Sequence, residues 1–370
     1  MLTLKNLLRR RVRSVLSVLG IGIGIAAIIA FNVIAQGFRE SINRYMRESG
    51  ANLVVVNKTM KDPAFSRVLK EEQEGIAAIE GVEHLSKATI TIASPRGLLG
   101  ASKLTALVVF GRTPGDRLLE KFKRRLEGRM IEADDECMMG RMAAEALGIK
   151  VGGTFDAFGR KFKVVGVYDS GVPWEKMAAI LPNSAVQKIL HIGDSIYMAF
   201  LFLKPGADEK AVKRAIEEKF PHLEAVRTEE FTAFYDQIEY IDWFVWTITL
   251  VSVIVGGLGI LNTMLMSVSE RTREIGTLRA VGWSRAQVQR LILSEGLLIS
   301  AVGGLLGLGV GAAGAEVLVK FAPQGFLGTS YAVPLFVQAF GIAVALGFVG
   351  SFYPAWQAGR LSPIEALKYE

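Results

Sequence analysis

Cysteine is almost missing from this chain: Cys137 stands alone among 370 residues. A single thiol permits no internal disulfide, so a disulfide-stapled secreted scaffold is excluded. Histidine is nearly as scarce. His84, His191 and His222 are scattered and lack metal-ligand spacing, which reads as ordinary surface or loop histidine. No GxSxG, HExxH or EF-hand pattern occurs, and no Ser–His–Asp arrangement suggests itself. The phosphate-loop patterns GxxxxGKS and GxxxxGKT are missing too, so no nucleotide site of that type is expected here. These gaps leave no catalytic, cofactor-binding or metal-binding residue to nominate, and the chain reads as a non-enzyme.

Charge is thin as well, at 21%, while hydrophobic residues reach 51% and mean hydropathy is +0.33. A soluble protein of this length is ordinarily more polar. A helix needs about 20 apolar residues to cross the hydrocarbon core. Residues 15–35, 243–268, 291–315 and 335–353 qualify, and Glu295 is the single ionisable residue inside them. The first run could instead be a signal peptide, because basic residues precede it. Its length, and the lack of a clear small-x-small cleavage site, favour a retained anchor.

The net charge of +7 and pI near 9.4 would, taken alone, suggest nucleic acid. The basic residues instead cluster beside apolar runs, which points to membrane orientation and to no nucleic-acid partner. Lys5, Arg9, Arg10, Arg11 and Arg13 precede the first run. Arg271, Arg273, Arg279, Arg285 and Arg290 separate the second from the third, and only Lys320 lies between the third and fourth. The positive-inside rule then divides the chain as follows. A cytoplasmic interfacial helix (1–13) leads into the first span (14–36). An extracytoplasmic domain (37–241) precedes the second span (242–268). A cytoplasmic loop (269–290), the third span (291–315), an outer loop (316–334), the fourth span (335–356) and a cytoplasmic tail (357–370) complete it. Both termini are expected in the cytoplasm of a multi-pass protein of the inner (cytoplasmic) membrane, in contact with lipid. Tyr240, Trp243 and Trp246 at one border, and Tyr353 and Trp356 at another, suit the headgroup level.

Leu4, Leu7, Leu8, Val12 and Val15 recur at helical spacing with the arginines largely off that stripe, as in an interfacial amphipathic helix; a plain basic anchor flank is the alternative. Gly20 and Gly24 in the first span, and Gly303, Gly307 and Gly311 in the third, repeat every four residues. Such small-xxx-small faces let helix backbones approach closely, so a tight bundle is expected rather than an open pore.

Residues 38–241 are too many for a loop. Runs 52–57, 104–110, 162–168 and 196–203 read as strands, and 141–147, 185–190 and 209–220 as helices, with Asp208 capping the last. This is an α+β domain of two subdomains. Stretches 38–49 and 229–242 look helical and extend the adjoining spans as a stalk. Asp134, Asp135 and Glu136 form an acidic run that reads as a solvated turn.

The segment 269–295, SERTREIGTLRAVGWSRAQVQRLILSE, is the most densely patterned. A first helix is predicted over 270–281, with Ile275, Leu278 and Gly282 on one face and Gly276 and Ala280 beside them. Gly282 is placed to end it. Ser284 and Gln287 match a capping box for the next helix. Two short helices meeting at a tight turn make a knob that can dock into a partner; a simple charged hairpin is the alternative. Glu295 lies about one turn inside the membrane, where a carboxylate is costly and either finds a partner, such as an arginine, or reaches the interface.

At this loop the sequence comes to resemble a known family, the MacB and FtsX permeases of the mechanotransmission class of ABC transporters. LKNLLRRRVRSVLSVLGIGIGIAA (4–27) resembles that family's entry to span one, and GRMAAEALGIKVGGTF (140–155) and KFKVVGVY (161–168) its external domain. ERTREIGTLRAVGWSRAQV (270–288) resembles its coupling helix and YPAWQAGRLSPIEALKYE (353–370) its C-terminal signature. The match spans essentially the whole chain. It implies four transmembrane helices with a porter-like and sabre-like external domain. It also implies a second permease copy, two ABC ATPase subunits below, and, as a further candidate, an extracytoplasmic adaptor. Glu270, Arg271, Glu274, Ile275, Gly276, Leu278, Arg279 and Gly282 would form the ATPase-coupling segment. The machine would export or extract a drug, peptide, lipid or lipoprotein; the alternative is mechanical activation of an external partner such as a cell-wall hydrolase. A membrane-anchored sensor or enzyme with no ATPase is a third reading, from a different class. MacB itself carries an ATPase on the same chain, and the missing phosphate loop departs from it, so ATP is expected from a separate subunit.

Overall fold

The computed structural model describes residues 11–58, 66–93, 106–234, 236–321 and 328–367. The interfacial helix expected over 1–13 lies almost wholly outside them. Two compact units emerge: Met1–Ala35 with Asp242–Leu318 and Thr329–Glu370, and Gln36–Ile241 with Val319–Gly328.

The first unit is helical. Among the described residues, four helices are long and apolar enough to cross a membrane, over Val15–Ser49, Tyr240–Glu270, Arg285–Lys320 and Val333–Arg360. They belong to α1 (Arg11–Ser49), α8 (Asp236–Glu270), α10 (Arg285–Phe321) and α11 (Val333–Arg360). Two short helices, α9 (Thr272–Ala280) and α12 (Pro363–Leu367), complete this unit. The helices outrun the expected spans, and α10 takes up part of the outer loop expected at 316–334. Ile21, Ile25 and Ile29 of α1 share one core with Ile260 and Met264 of α8, Ile292 and Ile299 of α10, and Ala343 of α11.

Glycine sets the spacing of these helices. A Cβ on Gly307 would lie 2.6 Å from the Gly22 carbonyl and 2.8 Å from Ile25 Cβ; one on Gly311 would lie 2.6 Å from the Ala26 carbonyl. Gly303 meets Val18 and Ile21 in the same way. The expected glycine stripe of span three is therefore a backbone-to-backbone seam, where dispersion rather than water expulsion holds helices together. On α1 the two nominated glycines part: Gly20 faces open space and Gly24 rests on Ser252 of α8, while Gly22 makes the approach. Every fourth residue lies on one stripe, but two such stripes fit span one, and only packing chooses between them. Between α1 and α8, Ser17 Oγ donates to Thr263 Oγ1 at 2.8 Å.

The described residues of the second unit form ten strands in one sheet, in the order β10-β1-β9-β2-β3-β8-β5-β7-β4, with β6 on β7. The strands are β1 (Leu53–Asn57), β2 (Val82–Ala93), β3 (Leu107–Arg112), β4 (Leu126–Gly128), β5 (Glu136–Gly140), β6 (Thr154–Ala157), β7 (Arg160–Tyr168), β8 (Ala178–Pro182), β9 (Met198–Leu203) and β10 (Leu223–Arg227). With α2 (Lys70–Ala77) and α6 (Glu209–Lys219), strands β1, β2, β9 and β10 make a βαββαβ unit in the order 4-1-3-2, a ferredoxin-like split βαβ. The described residues between β2 and β9 form an insertion that continues the same sheet, with α3 (Arg141–Leu147), α4 (Pro173–Lys176) and α5 (Asn183–Leu190). The two expected subdomains thus share one hydrogen-bonded sheet.

Strand β1 shows why both faces are covered. Leu53 and Val55 pack with Ile76 of α2 and Val212 and Ile216 of α6. Val54 and Val56 point to the other face, into a core with Phe38, Ile42, Tyr45 and Met46 of α1. Tyr45 is the pin of that core: it lies near-parallel to Phe110 at 5.9 Å and accepts a hydrogen bond from Arg112. The short helices stand where expected, with Asp208 accepting from the Lys210 amide at 2.9 Å. One expectation fails. Glu136 is not a solvated turn residue but the buried first residue of β5, paired with Arg129 and accepting from the Glu132 amide at 2.9 Å. Strand pairing to β7 and β8 draws it inside, whereas Asp134 and Asp135 stay exposed.

Candidate functional site

Helix α9 hangs between α8 and α10 as a nine-residue segment. An isolated helix this short is marginal in water, so its stability must come from its ends and its packing. At its start, Arg271 interrupts the ladder of α8 and serves as N-cap. Its guanidinium donates to Glu295 Oε2 at 2.9 Å and to Glu274 Oε2 at 3.1 Å. Arg271 and Glu295 are both buried, so the charge that span α10 carries is neutralised by the knob. Of the two readings of Glu295, the arginine pair is the observed one. Glu270, the last residue of α8, is exposed.

At its end, Gly282 adopts φ +102°, a backbone region that L side chains avoid. The Gly282 amide donates to the Arg279 carbonyl at 3.2 Å and the Trp283 amide to the Leu278 carbonyl at 3.0 Å, which is a Schellman closure. The Arg279 guanidinium donates to the Trp283 carbonyl at 2.9 Å and so seals the turn rather than reaching outward. The expected capping box follows: the Ser284 amide donates to Gln287 Oε1 at 2.7 Å, and the Gln287 amide to Ser284 Oγ at 3.2 Å.

The faces of α9 differ from the simplest expectation. Ile275 and Gly276 are buried within the chain, Leu278 is half-buried, and Gly282 is exposed. The surface that a partner can touch is made by Arg273, Glu274, Thr277, Ala280 and Val281, the last 79% exposed. Glu274 both faces out and is tied inward, through Arg271. Val281 is not among the nominated residues, because an apolar side chain at a helix end carries no signal in the sequence that it stands exposed. No group of three or more metal-ligating side chains forms among the described residues.

A bundle of four membrane-length helices with a capped helical knob, and a large sheet domain inserted between its first two spans, defines a polytopic membrane protein with a permease-like plan. The MacB-like periplasmic core domain family matches residues 14–219, more than half of the chain, and the FtsX-like permease C-terminal family matches residues 246–363. The chain belongs to the MacB and FtsX family of ABC transporter permeases. It is 27% identical, over its whole length, to a macrolide export ATP-binding/permease protein MacB 2 of Aeromonas hydrophila, of which it covers 60%. It is 26% identical, over 99% of its length, to an uncharacterized ABC transporter permease of Methanocaldococcus jannaschii, of which it covers 96%. The chain thus spans about three fifths of its MacB relative. A crystal structure of the periplasmic region of MacB from Actinobacillus actinomycetemcomitans aligns with 51% of the chain and 94% of its own at 14% identity, TM-score 0.42.

Proposed function

We propose that this chain is the membrane subunit through which an ABC ATPase moves an external domain, with α9 as the coupling helix. The ATPase is a separate subunit, present in two copies beneath two permease copies, and the transported class is a drug, peptide, lipid or lipoprotein. The 370 residues contain no phosphate-loop pattern, so the ATP site lies outside them. The termini and α9 face the cytoplasm, following the lysine and arginine bias. Residues 37–241 face outward.

The observation that carries this reading is the Arg271–Glu295 pair. It fastens the start of α9 to span α10 by a charge-assisted hydrogen bond, the stronger kind. The Schellman turn at Gly282 fastens the other end. A push on the outer face of α9 therefore tilts α10 instead of bending a loop, which suits rigid-body transmission.

The test is retention of the ATPase by the purified full chain. Val281→Glu puts a charge on the exposed end of α9. It is expected to lower ATPase retention about tenfold, the equivalent of about 1.4 kcal/mol, with helix content unchanged by circular dichroism. A complex that stays bound and fully coupled in this variant, and after deletion of 274–282, would remove α9 from the mechanism.

A further inference from the structure

The tail motif after span four has no task in the reading above, yet it makes the closest helix contact of the knob. Helix α11 ends at Arg360, the chain turns at Leu361 and Ser362, and Pro363 opens α12. This five-residue helix lies against α9. Ala366 is 1% exposed, and a Cβ on Gly276 would lie 2.5 Å from Ala366 Cβ. The turn before it is pinned as well: a Cβ on Gly359 would lie 2.9 Å from Gln289 Cγ of α10, and Ala358 is fully buried. Neither α9 nor α12 is long enough to hold helical shape alone. Each is therefore ordered by the other, and Gly276 is small because α12 needs its space.

We propose that α12 is the buttress of α9: it fixes the tilt of the coupling helix from behind, so that a partner's push reaches α10 rather than rocking α9 in place. This rests on α9 being the coupling helix, but it assigns Gly276 and Ala366 a positioning role rather than a contact with the ATPase. The buried side of α9 touches the tail at Gly276; the exposed side, with Glu274, Thr277, Ala280 and Val281, is left for the partner.

The experiment uses the full chain with its co-purifying ATPase in nanodiscs, with a spin-label pair in the sheet domain reporting ATP-driven displacement. Gly276→Ala is expected to reduce that displacement about fivefold, because one methyl must force two packed helices apart. Gly276→Ala combined with Ala366→Gly moves the methyl from one helix to the other, refills the same space and is expected to restore displacement to within about twofold. Deletion of 363–370 is expected to lose displacement while the ATPase remains bound. Failure of the double variant to recover would mean that Gly276 acts on the partner directly, and a truncated chain that moves normally would equally discard the buttress. Either result leaves α9 as coupling helix intact. If the unaltered chain retains no ATPase, the coupling reading itself falls, and the buttress with it.

Discussion

Arg271 sits between two carboxylates of unequal exposure, Glu295 with a side chain 7% exposed and Glu274 with one 58% exposed. Stranding one charge of a buried pair costs about 3–5 kcal/mol, whereas an exposed pair contributes about 0–1 kcal/mol. The anchor is thus Arg271–Glu295, and Glu274 can exchange Arg271 for a partner's cation at little cost. In the sheet domain, Glu136 is the corresponding case. The hydrogen-bonded Arg129 guanidinium, helped by the Glu132 and Ala133 amides, holds its carboxyl at about 2, against an ordinary 4.5. A folded-state pKa below the unfolded one adds stability that is complete above about 4.5 and is lost as pH falls towards 2. Thermal melts of the full chain between pH 6 and 2 are expected to show this acid limb, and Glu136→Gln to flatten it. An unchanged limb in the variant would show that the pair contributes nothing. Cys137 behaves oppositely: burial pushes its thiol up to about 12, which leaves it unreactive at neutral pH.

At the scale of elements, the seam between α1 and α10 makes a sharp contrast. Gly307 has no room for a side chain, and Gly20 has nothing within 4 Å. Gly307→Val is expected to lower the thermal midpoint of the detergent-solubilised chain, at a cost of about 1–3 kcal/mol, while Gly20→Ala stays within about 0.5 kcal/mol. Equal effects at the two positions would mean that the helices do not meet along this seam. The periodicity of Gly303, Gly307 and Gly311 was readable because it recurs every four residues on one helix face. That Gly22 rather than Gly20 answers it was not, because spacing within one helix says nothing of its rotation against another. The same limit hid the division of α9, where Ile275 turns into the core of the helical unit and Gly276 turns against α12.

For the whole molecule, the lysine and arginine bias makes an expectation about sidedness that labelling can check. With Cys137 buried and silent, Lys150→Cys in the sheet domain is expected to react with a membrane-impermeant maleimide on intact cells. Ala286→Cys beyond α9 is expected to react only after the membrane is opened. The reverse pattern would invert the topology and place α9 out of reach of any cytoplasmic ATPase. Composition and periodicity by themselves determined the four membrane-length helices, the large α+β insertion between the first two, and the caps at Gly282 and Ser284. Each of these is a local consequence of hydropathy or backbone preference along consecutive residues. Only the tertiary structure decided that the inserted domain is one ten-stranded sheet around a split βαβ unit, that Glu136 is buried, that Arg271 reaches Glu295 and that the tail backs α9. These depend on contacts between residues far apart in the chain, and such pairings are settled by competition for the same packing space.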